Sequence, residues 1–206
     1  LGLEKNKVRI IPSSAGGGFG SKLDVSLQPL LGLVTLKTKK PCRLTYSRKE
    51  SMISTTKRHP AVMKASISSD QKGKILSMKF HGDFNTGAYA SWGPTVANRV
   101  PIHASGPYRI PNYQAIGRAI YTNGPVSGAF RGFGVPQAAA IQETLLDQLA
   151  EKCNIDPLEF RIINALRDGD TTVCGQVLPS IGIYDCLKSL KSIWKRAKEK
   201  AEKYNK

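Results

Sequence analysis

Residues 7–22 read K-V-R-I-I-P-S-S-A-G-G-G-F-G-S-K. Val8, Ile10 and Ile11 supply β-branched bulk, so Lys7–Pro12 is expected as a short strand that runs straight into a glycine loop. Beyond the loop, Asp24 or Ser26 could cap a helix whose apolar face includes Leu27, Leu30, Leu31 and Val34, with Pro29 tolerated near its first turn. Strand, glycine loop and helix form the unit that decides for a chain of mixed class.

Working outward, Arg43–Tyr46, Val62–Ser69 and Ile75–Phe80 read as further strands. Asp70, Lys72, Gly73 and Lys74 make a polar turn between the last two, with glycine where a positive φ is expected. From Asn85 to Pro111 the chain is rich in Gly, Ala, Ser and Pro without a sustained period, which suggests a long ordered loop. Tyr113–Thr122 resumes as a strand, and Asn123-Gly124-Pro125 turns. Ile141, Leu145, Leu146 and Leu149 then keep helical spacing to about Cys153. Asp156-Pro157 caps and opens a shorter helix, and Tyr184–Tyr204 spaces Leu187, Leu190, Trp194, Ala197 and Ala201 as an amphipathic helix with lysines opposite. The fold class expected is α+β, a mixed β-sheet with helices packed on it.

Composition bounds the function. At 206 residues and 40% hydrophobic, the chain can bury a proper core. No stretch approaches the roughly 18 consecutive apolar residues of a membrane span, so a cytoplasmic location without a membrane partner is expected. Cys42, Cys153, Cys174 and Cys186 contain no C-x-x-C pair, so no zinc ribbon or iron–sulfur run is encoded here. The net charge is +16, and segment 188–206 alone carries eight basic residues against Glu199 and Glu202. No zinc finger, RNP pattern or helix-turn-helix accompanies that charge, which makes nucleic acid a poor partner and a solvated or acid-facing surface the better reading.

The glycine segments carry the chemistry. In the first, Ser21 precedes Lys22 and Leu23 follows it, so the P-loop pattern fails. Ser21 also stands at the third glycine position of G-x-G-x-x-G, so the dinucleotide fingerprint fails. What remains is backbone with little side chain, suited equally to a tight structural turn or to close approach of a ligand's polar edge. The second segment, G-A-F-R-G-F-G-V-P-Q over residues 128–137, places two aromatic rings around a permanently charged guanidinium between glycines. Taken alone, Phe130 and Phe133 could be core and Arg131 a surface ion pair.

Together, G-G-G-F-G-x-K and A-F-R-G-F-G-x-P-Q, in this order and about a hundred residues apart, resemble the paired motifs of the molybdopterin-binding large subunits of the xanthine dehydrogenase and aldehyde oxidase family. Arg58-His59-Pro60, the Asp70–Lys74 turn, residues 108–112 and residues 121–123 extend the resemblance to about Cys186. It implies a partial molybdopterin-binding domain over residues 1–187, a domain of the molybdenum-cofactor-binding type, with residues 188–206 a basic amphipathic helix or tail. It implies that Gly17, Gly18, Phe19 and Gly20 lie against the molybdenum-molybdopterin cofactor, with Phe130 and Arg131 touching the pterin or the metal's surroundings. Phe133 would stack on the substrate, and Arg99 stands where purine-oxidising members orient theirs. Leu23 departs from the pattern, since those members hold a glutamate there. A leucine cannot hydrogen-bond a heterocycle, which points to an aldehyde or another N-heterocycle.

The resemblance further implies an oxidoreductase that hydroxylates its small-molecule substrate with water-derived oxygen. The rest of the molybdopterin domain, iron–sulfur clusters and FAD would lie in partner domains or subunits of a multi-subunit complex. No catalytic residue and no directly coordinating metal ligand is expected within this sequence, because the family's general-base glutamate matches no position here. Both ends look cut from something longer, and the chain alone is expected to be inactive. The rival reading is a non-catalytic basic module that binds RNA or an acidic protein.

Overall fold

The computed structural model describes residues 2–205. These form two compact units, one of residues 2–61, 83–97 and 118–133, the other of residues 62–82, 98–117 and 134–205. The elements in chain order are α1 (Gln28–Thr38), α2 (Arg48–Ser54), β1 (Ala61–Ser69), β2 (Ile75–Gly87), α3 (Gly93–His103), β3 (Asn112–Tyr121), α4 (Val135–Lys152), α5 (Pro157–Asn164), α6 (Ile183–Ser189) and α7 (Lys191–Tyr204).

The sheet has strand order β1-β2-β3. β1 and β2 are joined by a tight turn in which Asp70 Oδ1 accepts from the amides of Lys72 and Lys74, each at 2.9 Å, so the two strands run antiparallel. Along β2 and β3 the pairings advance together. Asn112 Nδ2 donates to the Leu76 carbonyl, Arg118 Nε to Asp83 Oδ1 at 2.6 Å, and the Thr122 amide to the Gly87 carbonyl at 3.0 Å. β3 is therefore parallel to β2, the sheet is mixed, and α3 lies in the crossover that a parallel connection demands. Burial alternates along β1 and β3 with a period of two, leaving one face of each strand for the core.

In the second unit the core gathers Ile75, Met78 and Phe80 of β2, Val100 of α3, Leu146 of α4 and Phe160 of α5. Asp156 caps α5 by accepting from the amides of Leu158 and Glu159, and Pro157 sits where no helical N–H is required. Asn164, fully buried at the end of α5, donates to the carbonyls of Gly73 and Phe160 and accepts from the Ile75 amide, all at 2.8 Å. One side chain thus satisfies three buried backbone groups and ties the helix to the hairpin. Gly73 has the positive φ its turn requires, +79°, and a Cβ there would meet Ile155 at 2.5 Å. In the first unit Phe84, Thr86, Val96 and Ala129 are buried.

Several elements differ from the sequence expectation. Lys7–Pro12 is not a strand: a short 3-10 turn, Lys5–Lys7, leads into extended backbone that pairs with nothing among the described residues, and Ile11 is 75% exposed. β-branched bulk favours extended backbone, but a strand also needs a partner. Arg43–Tyr46 is irregular as well. α2 is an addition to the sequence reading, although Ser47 and Glu50 form a capping box at its start. Neither Asp24 nor Ser26 caps α1; Leu27 stands at that position, and Asp24 turns to Ser91 instead. The expected loop from Asn85 to Pro111 contains the end of β2 and all of α3, whose Pro101 and small residues blur the helical period. The expected C-terminal helix is two abutting helices, because the Leu190 amide takes the Leu187 carbonyl in a 3-10 type bond.

Candidate functional site

The first glycine loop is held open by left-handed backbone. Gly17 has φ +115°, Phe19 +49° and Gly20 +94°. Phenylalanine in this region is a conformational outlier, and such residues persist where surrounding structure imposes them. The Phe19 ring, 57% exposed, folds back over Gly17, where a Cβ would meet it at 2.6 Å. Lys22 donates to the Gly17 carbonyl at 2.7 Å, and the amides of Ser21 and Leu23 close turns onto Gly18 and Gly20. Among the described residues no acceptor meets the amides of residues 16–20.

The second loop repeats the device. Gly132, Phe133 and Gly134 have φ of +88°, +47° and +100°, with the Phe133 amide bonded back to the Phe130 carbonyl at 2.7 Å. Each loop therefore holds one aromatic residue in left-handed backbone between glycines. The two loops touch: a Cβ on Gly20 would lie 2.9 Å from the Ala129 carbonyl carbon and from the Phe130 amide nitrogen and Cα. Only glycine permits that approach. α4 begins directly after Gly134, with Pro136 in its first turn.

Residues that the sequence reading does not single out as site components support this pair. Arg58 donates through Nη2 to the Arg131 carbonyl at 2.6 Å and stacks its guanidinium 4.6 Å from the centre of the Phe130 ring. The Lys57 carbonyl accepts from the Gly128 amide at 2.9 Å. Lys57 Nζ closes the end of α2 by donating to the Ser51 and Thr55 carbonyls, and burial pulls its pKa down. Burial, with Arg58 alongside, also lowers the pKa of buried His59. Trp92 meets Phe133 edge-on with centroids 6.0 Å apart. Asp24 accepts both of its close contacts from Ser91 Oγ, at 2.9 and 3.0 Å, beside a cavity of about 370 Å³ that Ser21, Tyr46, Thr56 and Tyr89 help to line. Of these residues, only the R-H-P run at 58–60 stands out in the sequence, and there as part of a resemblance rather than a site.

The structure thus brings Gly20 against Phe130 and places Gly17, Gly18, Phe19, Arg131 and Phe133 on the same two loops. Arg131 is exposed, and among the described residues its guanidinium makes no hydrogen bond or ion pair. Leu23 stands just past the first loop at 61% exposure. Arg99 belongs to the other unit, on α3, where Nη2 lies 3.4 Å from His103 Nε2. Among the described residues no group of three or more His, Cys, Asp or Glu side chains is arranged to hold a metal, and no helix is long and apolar enough to cross a membrane.

Two glycine loops in left-handed backbone, seated on each other beside an exposed Arg131, belong to an α+β domain with a mixed sheet. The model of the molybdopterin cofactor-binding domain matches residues 1–165, and the chain belongs to that family. It is similar to the nicotinate dehydrogenase large molybdopterin subunit of Eubacterium barkeri, 43% identical over 98% of this chain and 46% of that protein. It is also similar to a probable xanthine dehydrogenase subunit of Bacillus subtilis, 40% identical over 82% of this chain and 23% of that protein. The solved aldehyde oxidoreductase of Desulfovibrio gigas superposes with a TM-score of 0.88 at 34% identity, over 91% of this chain and 21% of that one. The chain spans less than half the length of these relatives. The donors present fit the group, since molybdopterin offers ring nitrogens, a carbonyl and a phosphate as acceptors, and the loop amides and Arg131 are donors only.

Proposed function

We propose that this chain forms one wall of the molybdopterin site of a molybdenum hydroxylase, an oxidoreductase that hydroxylates an aldehyde or an N-heterocycle with oxygen from water. The observation that carries this reading is the seating of Gly20 against Ala129 and Phe130, which joins the two motif loops into one surface. Gly17, Gly18, Phe19 and Gly20 would offer backbone amides to the cofactor, Arg131 its guanidinium, and Phe130 an apolar edge. The bound cofactor supplies the oxygen-transfer and two-electron redox chemistry. Phe133, steadied by Trp92, would present a ring to a planar substrate, and Leu23 would line its approach without hydrogen-bonding it. Arg99 is assigned to substrate orientation by family resemblance.

Residues 1–187 would then be part of the molybdopterin domain, with residues 188–206 an added basic segment. The general-base carboxylate, the rest of the cofactor cleft, and the iron–sulfur and flavin centres would come from other segments or subunits, in a cytoplasmic complex. Turnover of a panel of aldehydes and N-heterocycles by the native complex in ¹⁸O-labelled water tests this. One label per product is expected, and product oxygen drawn from dioxygen would contradict it. Purified residues 1–206 supplied with cofactor should give no turnover.

A further inference from the structure

We propose that Arg58 is a positioning residue that clamps the second glycine loop from behind, setting the backbone on which Arg131 and Phe133 are presented; this rests on the reading of that loop as cofactor-facing. Three consecutive residues of the loop, Gly132, Phe133 and Gly134, occupy left-handed backbone. A phenylalanine held there relaxes unless its surroundings over-determine it. Trp92 packs on the Phe133 ring, and a short segment, Thr56–Arg58, holds the backbone that leads into the run.

Ser127 bridges in parallel to Lys57, and the Gly128 amide donates to the Lys57 carbonyl at 2.9 Å. Gly128 is pressed so tightly that a Cβ would lie 2.8 Å from Thr56 Cγ2 and 2.5 Å from Ser91 Oγ. Arg58 then completes the rail with two different contacts on successive residues, its planar face over the Phe130 ring and one N–H on the Arg131 carbonyl. The carbonyl contact fixes the peptide that leads into the left-handed run, and the ring contact fixes the residue before it. Because the Arg131 carbonyl is held from behind, the Arg131 side chain stays outside the clamp and exposed. The segment is itself anchored, since Lys57 Nζ is caged by the Ser51 and Thr55 carbonyls and by Thr55 Oγ1 at 2.6–2.8 Å. Lysine at position 58 could still donate to the carbonyl but has no planar face for the ring.

Arg58→Ala and Arg58→Lys are compared with the unaltered chain in its native complex by site-resolved hydrogen exchange and by molybdenum and pterin content. Arg58→Ala is expected to speed exchange of the Phe133 amide about tenfold, as loss of one charge-assisted hydrogen bond and one cation–π contact implies, and to lower cofactor content. The Ile75 amide, in the other unit's core, should keep its rate, and Arg58→Lys should restore part of the Phe133 protection and of the cofactor content. Unchanged Phe133 exchange, equal acceleration at Phe133 and Ile75, or a loosened loop with undiminished cofactor would each overturn the proposal. Absence of molybdenum and pterin from the unaltered complex would instead sink the cofactor reading, and the exchange result would still report on the clamp.

Discussion

Replacing Gly20 by alanine tests the contact between the two loops at one atom. A Cβ there meets three backbone atoms of Ala129 and Phe130 at 2.9 Å, closer than carbon atoms tolerate, and none of them belongs to a flexible side chain that could swing away. Position 20 also has φ +94°, where an L-residue costs about 1–2 kcal/mol. Overpacking against fixed neighbours adds about 1–3 kcal/mol. Together these put the loss near 3 kcal/mol, which for a protein of this size lowers Tm by about 6–12 °C. Gly16→Ala is the control, because no atom lies within 4 Å of its Cβ, and it should change stability by less than about 0.5 kcal/mol. Urea melts followed by circular dichroism, with exchange at the Phe133 amide as the local readout, measure both. A Gly20→Ala chain as stable as the unaltered one, with an unchanged second loop, would refute the claim that the loops are seated on each other.

Asn164→Ala strips partners from the Gly73 carbonyl and the Ile75 amide inside the core and should cost about 2–4 kcal/mol, read from the urea midpoint; a loss under about 1 kcal/mol would show the hairpin is not tied through this side chain. Ser47→Ala removes the capping box of α2 and should cost about 1 kcal/mol, visible as faster exchange across residues 48–54. Burial alone would raise the Asp156 pKa, but hydrogen bonds from Lys198, Trp194 and the amides of Glu159 and Leu158 hold it at about 2 against an ordinary 3.8. A depressed carboxyl stabilises the fold above its unfolded pKa and loses that contribution as the pH falls from about 4 towards 2. The loss should be about 1 kcal/mol once solvent screening is allowed for, and smaller in Trp194→Phe, as urea midpoints at pH 5 and 2.5 would show.

The sequence made legible what local pattern determines. The β1–β2 hairpin, the Asp156-Pro157 start of α5 and the helical run through Leu146 are written in strict periods, turn residues and caps. No strand forms over Lys7–Pro12, because pairing is not a local property: apolar, β-branched sequence is only half of a strand. α3 was hidden by Pro101 and a run of small residues, which mimic loop composition. At the site, the motif residues could be named, but the reason Gly20 must be glycine lies more than a hundred residues away, in the backbone of Ala129 and Phe130. Arg58 and Trp92 were illegible as site components for the same reason, since their partners Phe130, Arg131 and Phe133 meet them only in the folded chain.

The most direct test of the central claim is the molybdenum and oxidised-pterin content of the native complex containing this chain, purified from its source without denaturation. The cofactor-wall reading predicts both in near-stoichiometric ratio to the chain, and their loss in an Arg131→Ala variant that remains folded. An intact, folded complex that carries neither metal nor pterin would contradict it.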